Sequence, residues 1–285
     1  MLKANPLIED YNNINLIDKK KLIPFKERTR NFNSKVYRCS KSNLIINEKS
    51  TKNFKAYYDK FYWSNKKNIA GTKLKSPPSI INENLQRVKT LKRYIVNKKI
   101  LDFGCGDMSF LKICNKYTNK LYGCDLSKLK STKKIKFFDN LSEINEGFDT
   151  IFSFHTFHLL EKPIFTLNYL HKLLNNRGKI ILEIPNADNI LMNIQEYREF
   201  TFSIESLVIY NKDSIGKLMK FLNFKYKVNY FQRYNLNNHL GWFLKNRPGG
   251  HFFFKGFFDE KLNKEYRDFL VRKNKTDTLI AIANK

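Results

Sequence analysis

Two carboxylates and two glycines carry the clearest chemistry in this chain. Asp102, Gly104 and Gly106 stand together in KKILDFGCGDMSFLK, and Asp125 follows in LYGCDLS. An acid that ends a buried strand can take up a ligand's ammonium group, directly or through water. Glycines after it let backbone approach that ligand without a side-chain clash. A carboxylate ending the next strand can accept both hydroxyls of a ribose, as in dinucleotide-binding folds. Five histidines, His155, His158, His171, His239 and His251, are available to move protons near neutral pH.

These groups need a frame that brings strand ends to one edge, and the pattern of the chain supplies one. The run ILDF reads as a buried strand, GCG as a tight turn, and MSFLKICNKY as a helix. Strands are then expected at KLYGCDL, KIKFFDNL and FDTIFSFH. PIFTLNYLHKLLNN reads as an amphipathic helix closed at Arg177-Gly178. GKIILEIPN is a strand, KDSIGKLMKFLNF a helix, KYKVNYFQRY a strand and DTLIAIANK the last strand. Strands alternating with helices argue a mostly parallel sheet covered on both faces. Upstream, PPSIINENLQRVKTLKRYIVN has helical spacing at Ile81, Leu85, Val88, Leu91 and Ile95, with Pro78 in its first turn. SKVYRCSKSNLIIN has room for two short strands.

This organisation divides the chain into residues 1–50, an N-terminal extension; 51–97, a helical segment; 98–231, the α/β core; 232–275, an insertion; and 276–285, the final core strand. The stretch from 232 to 275 is long for a connection, and such insertions usually carry function.

Composition bounds the rest. With 285 residues and 42% hydrophobic content, the chain can bury one large domain with additions. No apolar run approaches the roughly 18 residues that cross a bilayer. The charged, Asn-rich start is not a signal peptide, so a cytoplasmic location is expected. The four cysteines form no C-x-x-C pair, so no metal site is expected and the thiols read as buried. The net charge of +27 suggests nucleic acid. But lysine greatly outnumbers arginine and is spread along the chain, the residue usage of an AT-rich genome. A diffuse basic surface favours anionic substrates, nucleotide-linked sugars and phospholipids among them.

Two ligands compete for the glycine corner. A nicotinamide cofactor wants G-x-G-x-x-G, but Ser109 takes the third glycine position. S-adenosylmethionine suits the pattern better, because it presents an ammonium to Asp102 and ribose hydroxyls to Asp125. The series ILDFGCGDMSFL, LYGCDLS, FDTIFSFHTFHLLEKP and LLNNRGKIILEIPN, spanning residues 98–186, resembles class I S-adenosylmethionine-dependent methyltransferases. The resemblance implies a Rossmann-like doubly wound sheet with a reversed final strand. It also implies cofactor contacts at Asp102, Gly104, Cys105, Gly106, Asp125 and Leu126, with Asn140 and Leu141 at the adenine and Phe154 beside the methionine moiety. Tyr57 or Trp63, in YYDKFYWSN, would cover the sulfonium face, where a cation–π attraction is available. The departure is Met108, where the family usually has glycine.

The C-terminal half resembles methyltransferases of surface-polysaccharide gene clusters through QRYNLNNHLGW, RPGGH and DTLIAIANK. That implies a small-molecule or sugar-nucleotide acceptor, with no specific nucleic-acid partner. Candidate general bases are His251, carried by the flexible PGG backbone, and His155 and His158, which follow a core strand. Candidate substrate contacts are Arg233, Tyr234, Asn238, His239 and Arg247. The rival readings are an RNA methyltransferase and a non-catalytic protein that keeps the fold. The acceptor atom and oligomeric state are not legible.

Overall fold

The structure, a computed structural model, describes residues 2–30, 32–51, 53, 56, 78–126 and 129–285, the side chains of Pro78, Ser79 and His251 excepted. In chain order the elements begin with β1 (Leu2–Ala4), α1 (Leu7–Asn13), β2 (Leu22–Lys26), β3 (Val36–Cys39), β4 (Ile45–Asn47) and β5 (Lys49–Thr51). Then come α2 (Pro78–Leu91), β6 (Ile100–Phe103), α3 (Ser109–Cys114), β7 (Leu121–Cys124), β8 (Ile135–Phe138), β9 (Phe148–Phe154), α4 (Pro163–Lys172) and β10 (Leu174–Pro185). The remainder is α5 (Gln195–Thr201), β11 (Val208–Ile209), α6 (Lys212–Phe221), β12 (Lys225–Phe231), α7 (Leu236–Lys245), α8 (Gly250–Phe253), α9 (Glu260–Arg272) and β13 (Thr278–Asn284).

Seven strands form one sheet in the order β12-β13-β10-β9-β6-β7-β8, with the chain's last strand inserted between β10 and β12. The pairs β6–β7, β6–β9 and β7–β8 are parallel. Such strands are covered on both faces, so they read as continuous apolar runs. Ile100, Leu101 and Asp102 are accordingly all buried. The α/β class and mostly parallel sheet expected from the alternation are what the chain forms.

The chain falls into two compact units, one of residues 51–156, 164–182 and 282–285, the other of 1–50, 157–163 and 183–281. In the first, the parallel register aligns strand ends: Phe103 pairs with Cys124, Cys124 with Phe138, and Asp102 with Phe152. The loops after β6, β7, β8 and β9 therefore leave from one edge.

In the second unit the first fifty residues are built into the fold. β2, β3 and β4 make an antiparallel meander whose β4 pairs with β11, Ile46 facing Val208. Its core includes Val36, Ile45, Ala187, Met192, Phe202 and Ile209. Asn5 fastens the N-terminus by donating to the carbonyls of Asn47 (2.8 Å) and Leu207 (3.1 Å). Tyr11 and Tyr210, both fully buried, share a hydroxyl hydrogen bond.

Three local expectations need correction. The helix expected to close at Arg177-Gly178 ends at Lys172, and β10 runs through Arg177, which takes the left-handed φ of 62° inside the strand. On α2, Ile81 and Leu85 are exposed, whereas Asn84, Val88 and Leu91 are buried. The inward stripe therefore runs i, i+4, i+7 from a polar residue, which an apolar-only count misses. Finally, the 232–275 insertion is helical, and Gly250 is there for close packing rather than flexibility. A Cβ on Gly250 would lie 1.7 Å from the Asn237 carbonyl oxygen, and one on Gly241 would lie 2.8 Å from the Gly250 Cα. The two glycines let α7 and α8 meet backbone to backbone.

No helix among the described residues is long and apolar enough to cross a membrane.

Candidate active site

The corner after β6 is built from left-handed residues at alternate positions: Gly104 (φ 82°), Gly106 (φ 54°) and Met108 (φ 61°). Backbone hydrogen bonds hold it to the end of β7. Gly104 N–H donates to the Cys124 carbonyl at 2.7 Å, and Gly106 N–H to Asp125 Oδ2 at 2.9 Å. Asp107 Oδ1 accepts from Ser109 N–H at 3.0 Å, which starts α3. Gly104 also packs on Thr156, where an added Cβ would come within 1.9 Å of Oγ1. At Gly106 an added Cβ would meet no atom of the described residues within 4 Å.

Asp102 is the most informative group. It is buried, with 2% exposure, and its Oδ1 has no hydrogen-bond partner among the described residues. Burial pushes its pKa up to about 8; the Arg87 charge pulls it down, and Asp125 and Asp107 push it further up. A buried carboxylate with an open acceptor next to one cation suits a second cationic ligand group. Arg87 itself donates to Asn84 Oδ1 (2.7 Å) and lies over the Phe154 ring (4.6 Å). Asn84 in turn donates to Ser109 Oγ at 2.8 Å, joining α2 to the corner. Sequence reading missed Arg87 and Asn84. Their signal was placement three and four residues along the stripe that also carries Val88 and Leu91.

Two of the non-glycine residues with positive φ flank this edge, Met108 and His155 (φ 51°). Among the described residues the other such positions are six asparagines and Arg177. Asparagine tolerates this region; methionine does so at a cost. Met108 is nonetheless buried, at 4% exposure. Met108→Gly should therefore lower stability despite relieving strain. Relief is worth about 1–2 kcal/mol, but deleting a buried methionine costs roughly 2–5 kcal/mol. A urea midpoint below wild type is the expected result.

The other expected cofactor positions fall along the same edge. Cys105 is buried, and that burial raises its thiol pKa far above the ordinary value. Leu126, beside Asp125, is exposed. Asn140 caps the turn at 141–143 by accepting from Ser142 N–H at 3.1 Å, with Leu141 next to it. Phe154 packs edge-on against Phe110 with centroids 4.7 Å apart. Tyr57 and Trp63 lie outside the described residues.

The remaining candidates lie in the other unit. His158 is buried in a turn at 157–159. His251 is in α8, and its side chain lies outside the described set. Arg233 stacks on Tyr234, its guanidinium 4.3 Å from the ring centroid. Buried Asp277 pins that pair by accepting Arg233 N–H and Tyr234 N–H, each at 3.0 Å. Asn238 is in the first turn of α7, and exposed Arg247 lies over Phe253 at 4.7 Å.

His239 departs from the expectation of a substrate contact. It is fully buried, and burial lowers its pKa to about 4, so it stays neutral. Its Nε2 lies 3.1 Å from the Gln232 amide nitrogen and its Nδ1 2.7 Å from the Tyr266 hydroxyl. Both nitrogens are spent on the protein, so His239 organises the 232–277 network.

A family model described as a methyltransferase domain matches residues 75–238. A SAM-dependent methyltransferase from Archaeoglobus fulgidus is similar, with TM-score 0.51 and 15% identity over 79% of this chain and 100% of that one. The plantazolicin methyltransferase BamL, in complex with a triazolic desmethylPZN analog and SAH, gives TM-score 0.49 and 17% identity over 81% of this chain and 93% of that one. No curated protein matches. The match to the family model covers more than half of the sequence, and the strand-turn-helix corner with its buried acid falls inside it. This chain belongs to the methyltransferase-domain family and has the fold of an S-adenosylmethionine-dependent methyltransferase.

Proposed function

We propose that this S-adenosylmethionine-dependent methyltransferase methylates a hydroxyl of a small-molecule or glycan acceptor, with nucleotide-linked sugars the class to test first. The observation that carries the cofactor half is Asp102, a buried acid whose Oδ1 has no hydrogen-bond partner among the described residues, at the same edge as Gly106. When bound, S-adenosylmethionine would supply an electrophilic methyl on a cationic sulfur, the S–CH3 bond breaking as the neutral thioether S-adenosylhomocysteine leaves. The chain's part is to position and desolvate.

Asp102 faces the ammonium, and Arg87, from α2, takes the carboxylate. The backbone of Gly104, Cys105 and Gly106 runs alongside. Asp125 accepts the ribose hydroxyls while keeping the Gly106 N–H. Leu126, Asn140 and Leu141 line the adenine, and Phe154 walls the methionine end. Tyr57 and Trp63 are assigned the cover over the sulfonium. As the new C–O bond forms, the acceptor hydroxyl loses its proton to a histidine. His155 is first in order, because its left-handed backbone ends β9 on the cofactor edge; His158 and His251 are the alternatives. Arg233, stacked on Tyr234 and held by Asp277, suits acceptor phosphate through its bidentate fork. Asn238 and Arg247 are further acceptor contacts.

The test is transfer of labelled methyl from S-adenosylmethionine to a panel of sugar nucleotides, unmodified RNA and free sugars. Label in a sugar nucleotide is expected, with Arg233→Ala raising KM about tenfold and changing kcat little. Label confined to RNA sinks this acceptor assignment and leaves the methyl-transfer reading standing.

A further inference from the structure

The α7–α8 hairpin and the residues just after it present an apolar tip to solvent. Phe252 and Phe257 are each 76% exposed, Leu244 is 62% exposed, and Phe243 and Phe253 are also above 40%. A soluble surface rarely gathers so many large apolar side chains in one short segment. The tip is stiff, because Gly241 and Gly250 bring the two helices into backbone contact. Its inner side is anchored by Trp242, which is buried and makes an edge contact with Tyr197 at 5.1 Å. The phenylalanines are therefore held outward by a packed base.

The charges carried by the tip segment itself, residues 243–257, have one sign. No Asp or Glu occurs between Asp213 and Asp259, whereas Lys245, Arg247 and Lys255 lie within the tip itself. In a chain with 26 acidic residues, an uninterrupted acid-free run of this length is a local feature beyond the general lysine excess.

We propose that this hairpin docks the protein on an anionic lipid surface, with the phenylalanines entering the headgroup boundary and the lysines meeting the phosphates. Interfacial segments combine just these parts: exposed aromatic and aliphatic side chains beside cations, with acids excluded. An RNA site is the less suitable reading. Bases stack on aromatic faces along a groove and phosphates want forked arginines, but the one arginine at the tip, Arg247, lies over Phe253. The inference is independent of the acceptor assigned above. It adds a place of action, at a lipid surface, for a chain with no membrane-crossing helix among its described residues.

The test is co-sedimentation of the full chain with vesicles of phosphatidylcholine alone and of equal parts phosphatidylcholine and phosphatidylglycerol. Partition onto the anionic vesicles is expected to exceed that onto the neutral ones by about tenfold or more, and to weaken with added salt. Phe252→Ser with Phe257→Ser should lower it by roughly a hundredfold, the effect of withdrawing two phenylalanine rings from an apolar phase. Both positions are exposed, so the thermal midpoint should stay at the wild-type value. Lys245→Glu with Lys255→Glu is a second variant that touches no packing, and it should remove the preference for anionic lipid. No partition by wild type, partition indifferent to lipid charge, or partition unchanged in both variants overturns the proposal. So does binding to a polyuridine RNA that the phenylalanine variant abolishes while vesicles are ignored.

Discussion

Asp125→Ala is expected to weaken S-adenosylmethionine binding by about a hundredfold. Hydrogen bonds to a charged group contribute roughly 1.5–3 kcal/mol each, so losing a carboxylate that holds two ribose hydroxyls removes about 3 kcal/mol or more, and 1.4 kcal/mol is tenfold. A second effect adds to the first. The same carboxylate accepts the Gly106 N–H at 2.9 Å, so the substitution also frees a turn whose residues at 104, 106 and 108 are all left-handed. Asp125→Asn separates the two. The amide keeps one oxygen for Gly106 and loses the charge, so binding should fall by about tenfold only. Isothermal titration of wild type and both variants measures this. Affinities within twofold of one another would remove Asp125 from the cofactor site.

The second large effect is expected at Asp102, and it has a pH signature. Burial raises its pKa to about 8 in the folded chain, against an ordinary value of 3.8. Between those values the folded chain keeps a proton that the unfolded chain has released. Stability therefore falls as pH rises through this window, by up to about 1.4 kcal/mol per pH unit from this one group. Asp102→Asn removes that dependence, so the variant without cofactor should unfold at a higher temperature than wild type at pH 8. The cofactor pulls the other way. An ammonium beside Asp102 favours its ionised form, so binding at pH 7 should expel a proton, and wild-type affinity should rise with pH and level off above about 8. Titration at pH 7 in phosphate and in Tris, whose ionisation heats differ, reads the proton directly. Asp102→Asn should release none and bind at least about tenfold more weakly. A variant that binds as tightly as wild type, with no proton released by either, would mean that Asp102 does not meet the cofactor's charge.

These two effects pull stability and function apart at one position, the pattern expected where a fold keeps a costly group for its ligand. Met108, at the same sheet edge, also carries a left-handed backbone, but its burial outweighs that strain.

Much of this was legible in the residues alone. ILDF, GCG and SFLKIC specify strand, turn and helix by local pattern, and the structure has β6, a left-handed turn and α3 there. The first fifty residues were less legible. VYRC and IIN are visible as strands, but nothing in them names Val208 and Ile209 as the partner of β4. Arg87 was hidden because its helix was read through Ile81 and Leu85, both exposed, while polar Asn84 holds the inward position. His239 drew attention as an ionisable group in a loop-like stretch. Only burial against Gln232 and Tyr266 turns it into a neutral structural ring.

The sequence by itself determined the order of the core strands and helices, the glycine corner and the two acids that bracket it. Each depends on residues close along the chain, where period, turn chemistry and spacing act directly. Tertiary structure alone decided that Asp102 is buried with an oxygen that no described residue satisfies, that Arg87 stands near it, that Gly241 meets Gly250, and that Phe252 and Phe257 face solvent. Those facts depend on which distant residues exclude water from a given atom, and burial is a property of the packed chain that no local pattern encodes.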